Sequence, residues 1–182
     1  MPYASSTGNT TDQLYDLGVL EDQLLPFYRS GLLICYNLKS HQEIYRQKLP
    51  DELPKGKYEN TSYVVPGNNT FYQLRNGSQG GVMLNYDITR KKWNIVFQTD
   101  YRLNSLSIDK DSSIWVSCYM GLWNIDAGLI NKQYIPNLKL VDGRTINTEV
   151  STLYNDNQGG MWLALWTGEY SIIILIVSVF KI

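Results

Sequence analysis

One stretch of this chain is written twice. Leu103-Asn-Ser-Leu106-Ser-Ile-Asp109-Lys-Asp111-Ser-Ser-Ile-Trp115-Val-Ser-Cys-Tyr119-Met-Gly121 recurs as Val150-Ser-Thr-Leu153-Tyr-Asn-Asp156-Asn-Gln158-Gly-Gly-Met-Trp162-Leu-Ala-Leu-Trp166-Thr-Gly168. The offset is 47 residues throughout, with no gap between Asp109/Asp156, Trp115/Trp162 and Gly121/Gly168. A fixed period of this size restricts the chain to architectures in which one supersecondary unit is stacked on copies of itself.

The unit reads as a meander of short strands. Ser105 to Ile108 alternates apolar and polar residues. Asp109 to Ser113 is a turn whose Asp and Ser side chains cap backbone N–H groups, and its counterpart Asp156 to Gly160 ends in Gly-Gly. Ile114 to Tyr119 is a second strand centred on Trp115, Met120-Gly121 turns the chain, and Leu122 to Ile125 is a third strand. Lys132 to Leu138 supplies a fourth, at an outer edge because it contains Pro136. Four short strands in about 45 residues describe one blade of a β-propeller.

Two weaker copies precede these, over Leu24 to Tyr36 and Thr70 to Tyr86. Anchoring each unit on the glycine before its third strand gives Gly31, Gly81, Gly121 and Gly168, at intervals of 50, 40 and 47. The expected organisation is a poorly matched segment 1–20, blades over 21–170, and an aliphatic tail 171–182 that does not fit the repeat. The expected fold is all-β: a partial β-propeller of about three to four four-stranded antiparallel blades in an open arc, since closed propellers have roughly 4–8 blades. A polar start without Lys or Arg in Met1 to Asp12 shows no export signal, and the apolar run Ile172 to Phe180 is too short to span a membrane as a helix.

The pattern Leu106-x-x-Asp109-x-x-x-x-Ile114-Trp115-Val116, followed by Gly121-Leu122-Trp123-x-x-Asp126, resembles the two-component regulator propeller repeat. The segment Phe71 to Asp87 is similar to blades of the same family. The resemblance covers Leu24 to Tyr170 and departs from the family where Ser113 replaces the usual turn glycine and after Tyr170. It implies the periplasmic sensor region of a hybrid two-component system of Bacteroidetes, a class that typically responds to glycans. It also implies partners absent from this chain: further blades and a kinase portion. On that reading the chain is a fragment of a sensor.

Composition narrows the chemistry. Sixteen basic and 17 acidic residues leave a net charge of −1, which gives no footprint for nucleic acid. Cys35 and Cys118 each sit in an apolar run and read as small core residues; with one histidine, His41, they form no metal-ligand pattern. His41 lies in a polar loop, so neither a phosphoacceptor helix nor a catalytic triad is expected, and no cofactor is implied. The pair Asp109/Asp111 reads as turn chemistry, since Asp111 becomes Gln158 in the second copy. Trp115 and Trp162 read as packing between neighbouring blades. Asn9, Asn60, Asn68 and Asn76 fit Asn-x-Ser/Thr and read as turn composition. The candidate ligand residues are those two positions before each anchoring glycine: Arg29, Gln79, Tyr119 and Trp166. Equivalent turns collect on one face of a propeller, where aromatic rings stack on sugars and Arg or Gln hydrogen-bond them. The expected function is recognition without catalysis. The alternatives are a propeller scaffold that binds a protein and a piece of a propeller polysaccharide lyase or glycosidase.

Overall fold

A computed structural model describes residues 12–54, 57–78, 80–139, 145–147, 149–158, 160–166 and 171–177. Every element described is a β-strand, and the strands described pair antiparallel. No helix among these residues is long and apolar enough to cross a membrane. The chain divides into two compact units, 1–79 with 83–97 and 80–82 with 98–182.

The first unit holds two four-stranded sheets in sequence order. Sheet one is β1 (Leu14–Leu20), β2 (Gln23–Tyr28), β3 (Leu33–Asn37) and β4 (Glu43–Gln47). Sheet two is β5 (Asn60–Gly67), β6 (Thr70–Gly77), β7 (Gly80–Asp87) and β8 (Lys92–Thr99), with the opening residues of β7 grouped in the second unit. The second unit holds sheet three, made of β9 (Leu103–Ile108), β10 (Ile114–Cys118), β11 (Leu122–Ile125) and β12 (Lys132–Ile135). A two-stranded ribbon follows, β13 (Leu138–Lys139) and β14 (Thr145–Ile146). Sheet four is β15 (Glu149–Asn155), β16 (Gly160–Trp166) and β17 (Ser171–Val177).

The repeat is deeper in the backbone than in the residues. Each sheet carries a β-bulge at the same place in its first strand: Tyr15, Ser62, Asn104 and Ser151, spaced 47, 42 and 47 residues. A bulge bends a strand and sharpens its twist. The register around it superposes all four sheets, so that Leu17, Val64, Leu106 and Leu153 are equivalent, as are Leu25, Tyr72, Trp115 and Trp162. Three residue types at the four bulges (Tyr, Ser, Asn, Ser) leave no sequence signature to read.

Packing within each unit follows one rule. In sheet one, the face bearing Phe27 meets Phe71 of sheet two edge-on at 5.1 Å, and Gly18 leaves room for the same Phe71 ring. In sheet three, the corresponding face bears Trp115, which forms one core with Val150, Leu153, Met161, Leu163 and Leu165 of sheet four. Here the first strand of the later sheet does most of the docking. The Leu153 N–H donates to the Ser105 hydroxyl at 2.9 Å, and the Asn155 N–H to the Ser107 hydroxyl at 3.3 Å. The bulge residue Asn104 donates its amide to the Val150 carbonyl at 3.0 Å and to Glu149 at 2.9 Å. We call this the leading face of a sheet, and the opposite one its trailing face.

The hairpin between second and third strands needs glycine. Gly31, Gly80 and Gly121 have φ of 94°, 105° and 89°. At Gly80 and Gly121 the chain leaving the fourth strand passes so close that a Cβ would lie 2.1 Å from the Thr99 carbonyl and 2.2 Å from that of Ile135. A side chain there is excluded twice, by backbone conformation and by contact.

Several expectations change. The segment 1–20, left outside the repeat by its sequence, contains β1, a full first strand. The aliphatic tail from 171 supplies β17, which pairs with β16 in the place that β11 takes in sheet three. The anchoring glycine of sheet two is Gly80, not Gly81, because Gly80 opens β7 and carries the positive φ. Trp162 is 37% exposed where Trp115 is 6%, so only Trp115 is a core residue. Asn60 opens β5 and Asn76 is buried in β6, so of these sites only Asn68 lies in a turn. Gly168 and Asn9 lie outside the described residues.

Candidate functional site

The turn from β2 to β3 opens onto a cleft of about 920 Å³ in the first unit. A volume of this size suits a small ligand. Its floor is Arg75, whose position in β6 matches Tyr28, Cys118 and Leu165 in the other sheets. Three repeats place an apolar or weakly polar residue there; the fourth buries a guanidinium at 1% exposure. Arg75 Nε donates to the Tyr58 carbonyl at 2.9 Å, and one terminal nitrogen donates to the carbonyls of Glu59 at 2.9 Å and of Arg29 and Ser30 at 3.3 Å. Burial lowers its pKa to about 10, opposed by the nearby Asp12 carboxylate, so it is charged at neutral pH. The guanidinium thus ties the β2–β3 turn to the segment entering β5.

Arg29 stands above this floor, at the exposed end of β2. Its Nε donates to the Asn60 side-chain carbonyl at 2.9 Å. Asp12 holds the neighbouring turn, accepting from the Ser30 hydroxyl at 2.5 Å and the Ser30 N–H at 3.1 Å. Around the cleft the charges of Arg29, Lys48 and Arg75 offset those of Asp12, Asp51 and Glu59. That balance favours a neutral ligand rich in hydrogen-bonding groups over a strongly charged one. Sequence reasoning found Arg29 but not the cleft. Most of its other walls come from the 48–59 connection between β4 and β5, which no repeat contains.

The remaining candidates fall elsewhere. Tyr119 and Trp166 belong to the second unit, directly after β10 and at the last residue of β16, and both rings are exposed. Their positions are equivalent: the Tyr119 N–H donates to the Arg102 carbonyl, and Trp166 pairs with Glu149, 47 residues beyond Arg102. Gln79 lies outside the described residues. The residue of sheet two equivalent to Arg29 is instead Asn76, paired with Asn60 as Trp166 is with Glu149. The hairpin after Asn76 is two residues longer than that after Arg29, which shifted the count from the glycine. Near Tyr119, the Tyr134 ring stacks on Tyr101 at 5.7 Å and contacts Trp123 at 4.9 Å.

The turn aspartates accept hydrogen bonds within their own hairpins. Asp156 accepts the N–H groups of Gln158 and Gly160 at 2.8 and 2.7 Å, and the Trp162 indole N–H at 2.9 Å. Asp109 accepts the Lys110 N–H at 2.7 Å, and Asp111 that of Ser113 at 2.9 Å. Both cysteines are buried, and burial pushes the Cys118 thiol up to about 11. Its Sγ lies 3.2 Å from the Met120 carbonyl.

No protein-family model and no curated protein matches this sequence. Solved structures do. The chain is similar to the extracellular domain described as belonging to the hybrid two component system BT4673 of B. thetaiotaomicron, at 14% identity and a TM-score of 0.67 over 93% of this chain and 22% of that one. It is similar to PorZ, a bacterial surface component of the type-IX secretion system of Porphyromonas gingivalis, at 11% identity and 0.68 over 96% and 28%. It is also similar to the computationally designed Ika4 protein, at 11% identity and 0.61 over 94% and 95%. The chain therefore spans about a fifth of the extracellular domain it matches and nearly all of the designed protein. At these identities the likeness is one of fold.

Proposed function

We propose that the four sheets are blades of a β-propeller and that the chain is part of the ligand-sensing region of a hybrid two-component system. In this reading it recognises an oligosaccharide outside the cytoplasm and passes the event to a kinase portion on the same protein. The likeness to a two-component extracellular domain supports the class of protein. The observation that carries the ligand reading is the first-unit cleft, with Arg29 and Asn60 hydrogen-bonded at its rim over a buried, carbonyl-bound Arg75. A rigid, charge-balanced rim of donors and acceptors matches the hydroxyls of a neutral sugar without requiring a counter-ion. Signalling then needs only that the ligand bind one conformation better than another.

Titration calorimetry against neutral oligosaccharides tests this. Binding should be weakened about tenfold or more by Arg29→Ala or Asn60→Ala, the loss of one or two hydrogen bonds to a polar ligand. Unchanged affinity in both variants, or no binding across a broad glycan panel, contradicts the assignment. Turnover of a bound glycan would favour instead a piece of a lyase or glycosidase. A second reading, a scaffold that binds a protein partner, is supported by the likeness to the designed Ika4 protein, of which the match covers 95%. A monodisperse protein with no glycan affinity and a specific protein partner would favour it.

A further inference from the structure

The first-unit cleft takes its polar and apolar groups from different segments. Arg29 and Ser30 of the β2–β3 turn and Asn60 at the start of β5 supply hydrogen-bonding groups. The 48–59 connection supplies apolar ones, with Leu49 and Pro50 half-buried and Leu53 buried. The two kinds meet at Gly31. A Cβ there would lie 2.4 Å from Leu49 Cγ and 2.6 and 2.8 Å from its two methyl carbons, so the Leu49 side chain lies directly on the turn that carries Arg29 and Ser30. The φ of 94° favours glycine at this position, and Leu49 fills the space that a side chain would take. An aliphatic surface thus shares one cleft with the Arg29–Asn60 hydrogen bond. A ligand made of hydroxyls alone sets some of them against Leu49 and Pro50, where burial without a partner is costly. A ligand with a methyl group beside a neutral hydrogen-bonding group suits both segments, and the balanced charge of the cleft favours that neutrality.

We propose, on the reading of the cleft as an oligosaccharide site, that it selects glycans bearing acetamido groups, the chemistry of N-acetylhexosamine units. The acetyl methyl packs on Leu49 and Pro50. The acetamide carbonyl accepts from the Arg29 guanidinium, and the acetamide N–H donates to a carboxylate of the connection, Asp51 or Glu59. The ring hydroxyls are left for Asn60 and for water at the open side. Replacing the acetamido group by a hydroxyl keeps the polar contacts but leaves the Leu49 surface without its methyl partner. Removing the acetyl group puts an ammonium charge where the cleft offers no surplus of acid, since Arg29, Lys48 and Arg75 already offset Asp12, Asp51 and Glu59. A peptide carries the same amide but no ring hydroxyls for the remaining rim groups, so the sugar is the better match.

Titration calorimetry with chitotriose and cellotriose tests this, because these trisaccharides share their linkage and differ only in carrying acetamido groups or hydroxyls. Chitotriose should bind about tenfold tighter or more, the discrimination that an apolar pocket gives one extra carbon. Leu49→Ala and Pro50→Ser should each shrink that preference to about threefold or less, the ratio of the two affinities being the readout. Circular dichroism establishes that each variant is folded, and the comparison on the wild-type chain stands without them. Equal affinity for the two trisaccharides, tighter binding of cellotriose, or a preference that survives both substitutions overturns the acetamide assignment and leaves the oligosaccharide reading in place. Absence of chitotriose binding while other glycans bind does the same. Failure of every glycan in a broad panel overturns both. Binding of an N-acetylated tripeptide in place of either trisaccharide would assign the cleft to peptides and overturn both as well.

Discussion

Trp115 and Trp162 are the same residue at the same repeat position, yet one is a core side chain and the other a surface one. Their places in the repeat are the same: each lies in the second strand of its sheet, paired to the first, six residues after a turn Asp. Among the described residues, Trp115 packs into a core with sheet four, and Trp162 is 37% exposed. In a stacked repeat the environment of a residue is set by the next unit, so burial cannot be assigned from one copy of the motif.

The largest test of the contrast is deletion of each ring. Trp115→Ala should cost about 3–5 kcal/mol, as for a buried aromatic truncated to Ala. Trp162→Ala should cost about 1 kcal/mol or less, the range of a partly exposed site. Urea denaturation followed by circular dichroism measures both, and equal losses would break the comparison.

A second test asks how far one repeat can depart from the others. Arg75→Leu restores the apolar character found at Leu165 but strands the four carbonyls that the guanidinium serves. We expect a loss of about 2–3 kcal/mol, since buried groups left without partners cost roughly 1–3 kcal/mol. A neutral or stabilising result would mean that water serves those carbonyls equally well.

The two turns offer a smaller contrast. Asp156→Ala removes three hydrogen bonds, including that to Trp162, and should cost about 1–2 kcal/mol; Asp109→Ala removes the bond from the Lys110 N–H and should cost about half as much. Thermal unfolding of the pair ranks them, and the reverse order would refute the assignment of Asp156 as the stronger turn residue.

The smallest effect is in pH. The Ser113 hydroxyl and N–H hold the Asp111 carboxyl below its ordinary value. A carboxyl depressed in the folded state stabilises above its unfolded pKa and loses that contribution as pH falls through the folded value. For this exposed group the effect is a few tenths of a kcal/mol, lost below about pH 4. Asp111→Asn should flatten the acid limb of stability slightly; an unchanged limb would assign it to other carboxylates.

What the sequence made legible was local chemistry. The turn Asp109 to Ser113, the strand from Leu122 to Ile125, and the glycines Gly31 and Gly121 follow from capping, alternation and positive φ, each a property of adjacent residues. The first strand of sheet one was missed because its apolar residues Leu14, Leu17 and Val19 lack both the Trp and the turn Asp that mark the later copies. The run after 171, open to reading as a buried strand, falls outside the sequence repeat because its Ile and Leu lack the Gly-Leu-Trp start seen at Gly121. The cleft was invisible for another reason. Its floor is a single Arg at a position filled otherwise by Tyr, Cys and Leu, and much of its wall is an inter-sheet connection, so repetition carries no information about either.

The central claim is that the equivalent faces of sheets three and four differ in exposure, the first buried against its neighbour and the second open. Ser105 and Thr152 occupy the same position on those faces, the first buried and the second exposed. Ser105→Cys and Thr152→Cys, each made with the two buried native cysteines retained, can be compared by their rates of reaction with a neutral maleimide at low protein concentration. The account predicts that the thiol introduced at position 152 reacts at least a hundredfold faster than the one at 105. Equal rates, or the reverse order in folded protein, would show that the last sheet is covered as the third is, and would contradict it.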